Sequence, residues 1–228
     1  TLRAAIEEGR RVYDNLVKAL AFVLPTSVGQ ALLIAVAVLA FPTNGGALEL
    51  PVEPVQILWI NLIVAVALAL PLAFEAPEPD LMTRPPRDPD VALLDRPLLV
   101  RTLVVSATLT AVAFGLFWLA RHEDLSVARA QTTAVTGAVF LQAFYLLACR
   151  SLTRPNRELG RWSNPSVYAG IGLVLVLQAL FVFAPFMQTV FGSAGLGARE
   201  LVWAALASVV ILPVTWVEER WRVARARR

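Results

Sequence analysis

Thr26, Ser27 and Gln30 fall at helical spacing inside an otherwise apolar run, and Asn61 and Gln142 stand more sparsely in later runs. Hydroxyl and amide oxygens of this kind can coordinate a desolvated cation, or they can hydrogen-bond one helix to the next. Polar groups inside a membrane are costly to keep and usually mark a path or a site. Pro25 sharpens the first cluster, because it has no N–H for the helix ladder and so frees the carbonyl of Ala21. Thr26 and Gln30 are at i, i+4, and Ser27 and Gln30 at i, i+3, so the spacing predicts all of them on one face. Gly29 between them lets a neighbouring helix come close. On the residues alone, a cation path and interhelical hydrogen bonding are both open readings for Ser27, Gln30, Asn61 and Gln142. For Gln178 the expectation is interhelical hydrogen bonding, and for Thr102, Ser106, Thr108 and Thr110 it is packing and bonding back onto the helix's own carbonyls.

The elements that must position these groups are apolar runs at about Ala19–Phe41, Val55–Phe74, Leu98–Ala120, Gln131–Cys149, Val167–Pro185 and Glu200–Val217, none with Asp or Glu in its interior. Each approaches the roughly 20 residues that cross a bilayer as a helix, and none alternates like a barrel strand. Hydrophobic residues make up 57% of the chain and charged ones 16%, a balance that suits a polytopic membrane protein. The fold class is therefore all-α, a polytopic bundle of six transmembrane helices. Cys149 is the single cysteine and His122 the single histidine, which excludes a disulfide framework, a multi-cysteine metal site and serine–histidine chemistry within the chain.

Basic residues set the expected orientation. They gather before the first span (Arg3, Arg10, Arg11, Lys18), after the second (Arg84, Arg87, Arg96), after the fourth (Arg150, Arg154, Arg157, Arg161) and in the tail (Arg220, Arg222, Arg225, Arg227, Arg228). The alternate segments carry Arg121, Arg129 and Arg199, and Arg101 sits just inside a span, where it is expected to snorkel outward. The positive-inside rule then places both termini in the cytoplasm. A net charge of +3 accordingly reflects topology and membrane lipid contact, not nucleic-acid binding. Trp118, Trp162, Trp203, Trp216 and Trp221 fall near span ends, as interfacial aromatics do. The proline-rich connector from Glu75 to Arg96 forbids a regular helix, and its mixed charges suit docking to another domain, or free solvation.

Several ordered motifs resemble one family. Glu7-Glu8-Gly9-Arg10-Arg11-Val12-Tyr13-Asp14-Asn15 is similar to the stalk entering the fifth membrane helix of calcium-pump-like (type II) cation-transporting P-type ATPases. Pro54-Val55-Gln56-Ile57-Leu58-Trp59-Ile60-Asn61-Leu62 resembles the start of their sixth helix, and Asp80-Leu81-Met82 with Arg84-Pro85-Pro86-Arg87 the loop that follows. Leu212-Pro213-Val214, with Glu218-Glu219, resembles the end of their tenth helix. The motifs keep the family's order across essentially the whole chain.

The resemblance implies helices five to ten of a pump. Residues 1–18 would be a cytoplasmic stalk helix, 19–217 the membrane domain and 218–228 a basic cytoplasmic tail. Thr1 is not an initiator, so actuator, nucleotide-binding and phosphorylation domains, with helices one to four, are expected upstream. The chain has no DKTG, TGES or GDGxND motif. No cofactor is expected here, ATP and Mg acting in the complete pump of a bacterial plasma membrane. Where calcium pumps offer Asn and Glu on the fifth helix, this chain has Ser27 and Gln30; for Asn, Thr and Asp on the sixth it has Asn61, Val64 and Ala65; for Glu on the eighth it has Gln142. Calcium wants carboxylates among its six to eight oxygens. The neutral set therefore points to a monovalent cation rather than calcium. Glu75, at the end of the second span, is read either as an ion-entrance group or as a solvated helix-end charge. Two alternatives stay beside the pump: a non-transporting membrane interaction module or pump remnant, and an unrelated channel or carrier.

Overall fold

The computed structural model describes residues 1–40, 50–78, 80–85, 95–150 and 164–226. Helix α1 runs unbroken from Leu2 to Ala40, through Pro25. Helix α2 (Pro54–Ile63) passes into a π-helical segment, Val64–Ala69, and then a 3-10 turn, Leu70–Phe74. There follow α3 (Arg96–His122), α4 (Val127–Cys149), α5 (Pro165–Phe183), the short α6 (Pro185–Phe191), α7 (Ala198–Ser208) and α8 (Ile211–Ala226). Among the described residues there is no strand, and six helical stretches are long and apolar enough to cross a membrane.

Local chemistry fixes the starts. Asp95 and Ser126 accept backbone N–H groups of α3 and α4 on their side chains, and Asn164 does so for α5. Proline stands in the first turn of α2, α3, α5 and α6, where its missing N–H costs nothing.

Helix α4 is the centre of the bundle. Every residue from Ala130 to Val139 is buried, and most are Thr, Ala or Gly, so neighbouring backbones approach closely. Helix α7 takes advantage of this: the Ser208 hydroxyl contacts the Gly137 carbonyl oxygen at 2.8 Å. Outward faces carry exposed apolar residues such as Leu62, Leu103 and Val176, as lipid contact requires. Trp118, Trp216 and Trp221 are exposed and Trp203 is half-buried, with the Arg199 guanidinium 4.4 Å from its ring centre; Trp162 lies outside the described residues.

Two spans depart from simple helices. The last is broken between α7 and α8, where the sequence suggests one continuous run. Pro213 cannot donate to the Val209 carbonyl, which takes the Leu212 N–H instead at 3.0 Å, and the ladder tightens there. In the second span the slip comes before its proline. Pro71 cannot close the α-helical bond to Ala67, and the Leu70 N–H reaches back to Ala65 in the wider π register.

Candidate functional site

The four sequence-selected residues divide into two pairs. Gln30 and Gln142 are buried in the middle of the bundle, at 4% and 0% exposure, whereas Ser27 and Asn61 lie on exposed faces of this chain. Successive helical residues turn by about 100°, so Thr26 and Gln30 lie close together around α1 while Ser27 falls beyond the edge of the buried face. The expectation of a shared face thus holds for Thr26 and Gln30 as buried groups, with Ser27 outside. No hydrogen bond links any two of the four. The Thr26 hydroxyl is committed to its own helix, on the Phe22 and Val23 carbonyls at 3.1 and 2.9 Å.

Buried amides in this interior are under-satisfied. Neither the Oε1 nor the Nε2 of Gln30 has a partner. Gln142 donates to the Ala138 carbonyl at 3.0 Å but leaves its Oε1 without a donor. Gln178, on α5, donates to the Thr136 hydroxyl at 3.0 Å and likewise leaves its Oε1 bare. Each such atom costs about 1–3 kcal/mol relative to a satisfied one. Amide carbonyl oxygens in an apolar interior are what a partly dehydrated cation, or a water accompanying it, would satisfy. Thr102, Ser106 and Thr108 bond back onto their own helix as the sequence suggests, and Thr110 also contacts the Gly29 carbonyl of α1 at 3.1 Å.

The π segment is held from α5. A Cβ at Gly170 would stand 2.1 Å from the Ala67 carbonyl oxygen, so only glycine allows this approach. Val64 and Ala65, the positions matched by resemblance to oxygen-bearing residues, open the same segment. On α1 the carbonyl freed by Pro25 is not left bare. Tyr145 of α4 donates its hydroxyl to Ala21 O at 2.6 Å, and its ring stacks on Phe22. Arg101 completes this network, donating to the Tyr145 hydroxyl at 2.8 Å and to the Ala148 carbonyl at 3.2 Å. Its expected outward snorkelling is therefore corrected: Arg101 is 5% exposed, because acceptors on α4 lie within its reach.

The reading of Glu75 as a solvated helix-end charge is corrected too. Glu75 is fully buried; its carboxylate accepts from Arg150 at 3.0 Å and from Asn164 at 2.7 Å. In its described part the connector beyond it packs on the first half of α1 and is not freely solvated there. Lys18 and Glu78 pair at 3.4 Å with both side chains buried, and Arg10 donates to the Leu81 and Arg84 carbonyls at 2.9 Å. Arg84 pairs with Asp14, Asp80 and Glu78, and the carboxylates of Asp80 and then Glu78 raise its pKa above the ordinary guanidinium range. Pro79, Pro86 and Pro89 lie outside the described residues.

Sequence reasoning missed Tyr145, Gly170, Arg150 and Asn164. The carbonyl freed by Pro25 signalled that some donor must come, though not from which helix.

A family model described as "Cation transporting ATPase, C-terminus" matches residues 49–221. The chain belongs to that family. Within the cation-transporting ATPase family, it is 40% identical over 217 residues to the Probable cation-transporting ATPase F of Mycobacterium tuberculosis, covering 94% of this chain and 23% of that protein. It is 34% identical over 228 residues to Cation-transporting ATPase pma1 of Synechocystis, covering 96% and 24%. Calcium-transporting ATPase 1 of Yarrowia lipolytica is 33% identical over 218 residues, covering 95% and 22%. The chain thus spans about a quarter of the length of these cation-transporting ATPases, and it is a multi-pass membrane protein.

Proposed function

We propose that this chain is the C-terminal membrane half of an ATP-driven cation pump, with Gln30, Gln142, Ser27 and Asn61 along the ion path. The observation that carries the reading is the buried amide of Gln30, whose oxygen and nitrogen both lack a partner among the described residues. Asn61 and Ser27 lie on exposed faces, where membrane helices supplied by the rest of a pump would cover them. On this reading residues 1–18 form the stalk, 19–217 the membrane domain and 218–228 a cytoplasmic tail, with both termini in the cytoplasm. ATP and Mg act in upstream actuator, nucleotide-binding and phosphorylation domains.

A monovalent cation is the favoured substrate. Removing a divalent ion from water among neutral amides is far more costly than removing a monovalent one, and carboxylates normally offset it. Calcium is the second reading, because the Yarrowia relative is named for calcium transport. The test is ATP hydrolysis by the complete purified protein across sodium, potassium, calcium and other cations. Stimulation by a monovalent ion, with affinity weakened by Gln30→Ala and by Asn61→Ala, is the expected result. Unchanged affinity and turnover in both variants, for every stimulating cation, would remove the site assignment; selective stimulation by calcium would replace the substrate.

A further inference from the structure

The Glu75 cluster joins elements far apart in sequence, and nothing in the ion path requires it. Asn15 of α1 donates to the Ala73 and Glu75 carbonyls, both at 3.0 Å, and Arg11 donates to the Glu75 carbonyl at 3.2 Å. These are last-turn carbonyls of the second span, which would otherwise lack donors. From the other side Arg150, just past α4, and Asn164, the cap of α5, hold the Glu75 carboxylate. Asn164 also donates to the Pro71 carbonyl at 3.0 Å while capping Ser166 N at 3.1 Å. Both oxygens of the carboxylate and the main-chain oxygen of one buried residue thus bind three helices to the end of the second span. The π segment ends at Ala69, two residues before Pro71.

We propose that Glu75 is a positioning residue, a joint that makes the first half of α1, the 3-10 turn and the facing ends of α4 and α5 move as one body. Displacement of α1 is then passed directly to the π segment, whose Ala67 carbonyl is already pressed against Gly170 of α5. A wide-register turn has spare room to shift by a residue, so a rigid handle at its end converts a push along α1 into a change of carbonyl positions inside the bundle. The carboxylate suits this role better than an amide. Arg150 and Asn164 are both donors, and Glu75 alone provides paired acceptor oxygens carrying the charge that offsets the guanidinium. This inference rests on the pump reading for its consequence in transport, but the joint itself is independent of it.

The test compares Glu75→Gln, and the double variant Glu75→Gln/Arg150→Met, with the unaltered complete protein. Two measurements are made: backbone hydrogen exchange over residues 64–74, and cation-stimulated ATP hydrolysis. Expected is at least a tenfold rise in exchange over 64–74 in both variants. Maximum turnover should fall at least tenfold, with the half-saturating cation concentration changed less than threefold. If the double variant regains normal turnover and exchange, only the uncompensated charge mattered and the positioning role is overturned. Unchanged exchange over 64–74 overturns the joint, and a shift in half-saturation with turnover intact would make Glu75 a ligand. Raised exchange in a protein that no cation stimulates would support the joint while the pump reading fails.

Discussion

Gln30, Gln142 and Gln178 leave amide atoms without partners in the apolar middle of the bundle, whereas at the rim all four carboxylate oxygens of Glu75 and Glu78 have donors. The solvents these regions face make the contrast informative. A buried charge is so costly that a fold retains it only with partners in place, as with Arg150, Asn164, Lys18 and Arg84. A neutral amide can be left bare for about 1–3 kcal/mol, a cost that a transient ligand can repay. On the proposed reading, the saturated rim groups belong to the mechanical framework, and the bare amide of Gln30 lies on the ion path.

The contrast breaks most visibly at the rim. Arg150→Met leaves the fully buried Glu75 without its counter-charge and is expected to cost about 3–5 kcal/mol, read as a lowered thermal midpoint of the complete detergent-solubilised protein. Adding Glu75→Gln should recover most of that stability without recovering turnover. A stable single variant would mean that the rim pair is not needed for compensation. Next in size is Gly170→Ala. Its Cβ would meet the Ala67 backbone first and the Pro71 ring next, so about 3 kcal/mol is expected, with raised hydrogen exchange over residues 64–70. Tyr145→Phe removes the donor to Ala21 O and an acceptor of Arg101, and should cost about 1–2 kcal/mol in the same melting assay. The smallest change belongs to the interior: Gln178→Leu loses one bond to Thr136 but also removes a bare oxygen, so the midpoint should stay within about 0.5 kcal/mol of unaltered protein.

How much of this was legible beforehand depended on the range of each interaction. Apolar runs of bilayer length carry their own signal, and α3 and α4 lie close to where composition puts them. Pro25 marked Ala21 as an unpaired carbonyl, since that effect is local. Which donor answers Ala21 was hidden, because Tyr145 is 124 residues away. The same distance problem hid Arg150 and Asn164, so Glu75 read as an ion-entrance group or a solvated charge until its neighbours were in place. Ser27 and Gln30 illustrate a subtler limit: one turn of α1 holds both, and only the packed bundle says which side of its edge each occupies.

The most direct test of the contrast is the melting of the complete protein carrying Gln30→Met, with and without the stimulating cation. Methionine fills similar space and removes both bare atoms, so without cation the midpoint should hold or rise, by the equivalent of about 1 kcal/mol. Unaltered protein should gain about 2.7 kcal/mol at a cation concentration near 100 times its Kd, and the variant should lose most of that gain. A variant that melts lower without cation, yet keeps the full cation-dependent rise, would show that Gln30 belongs to the framework and not to the ion path.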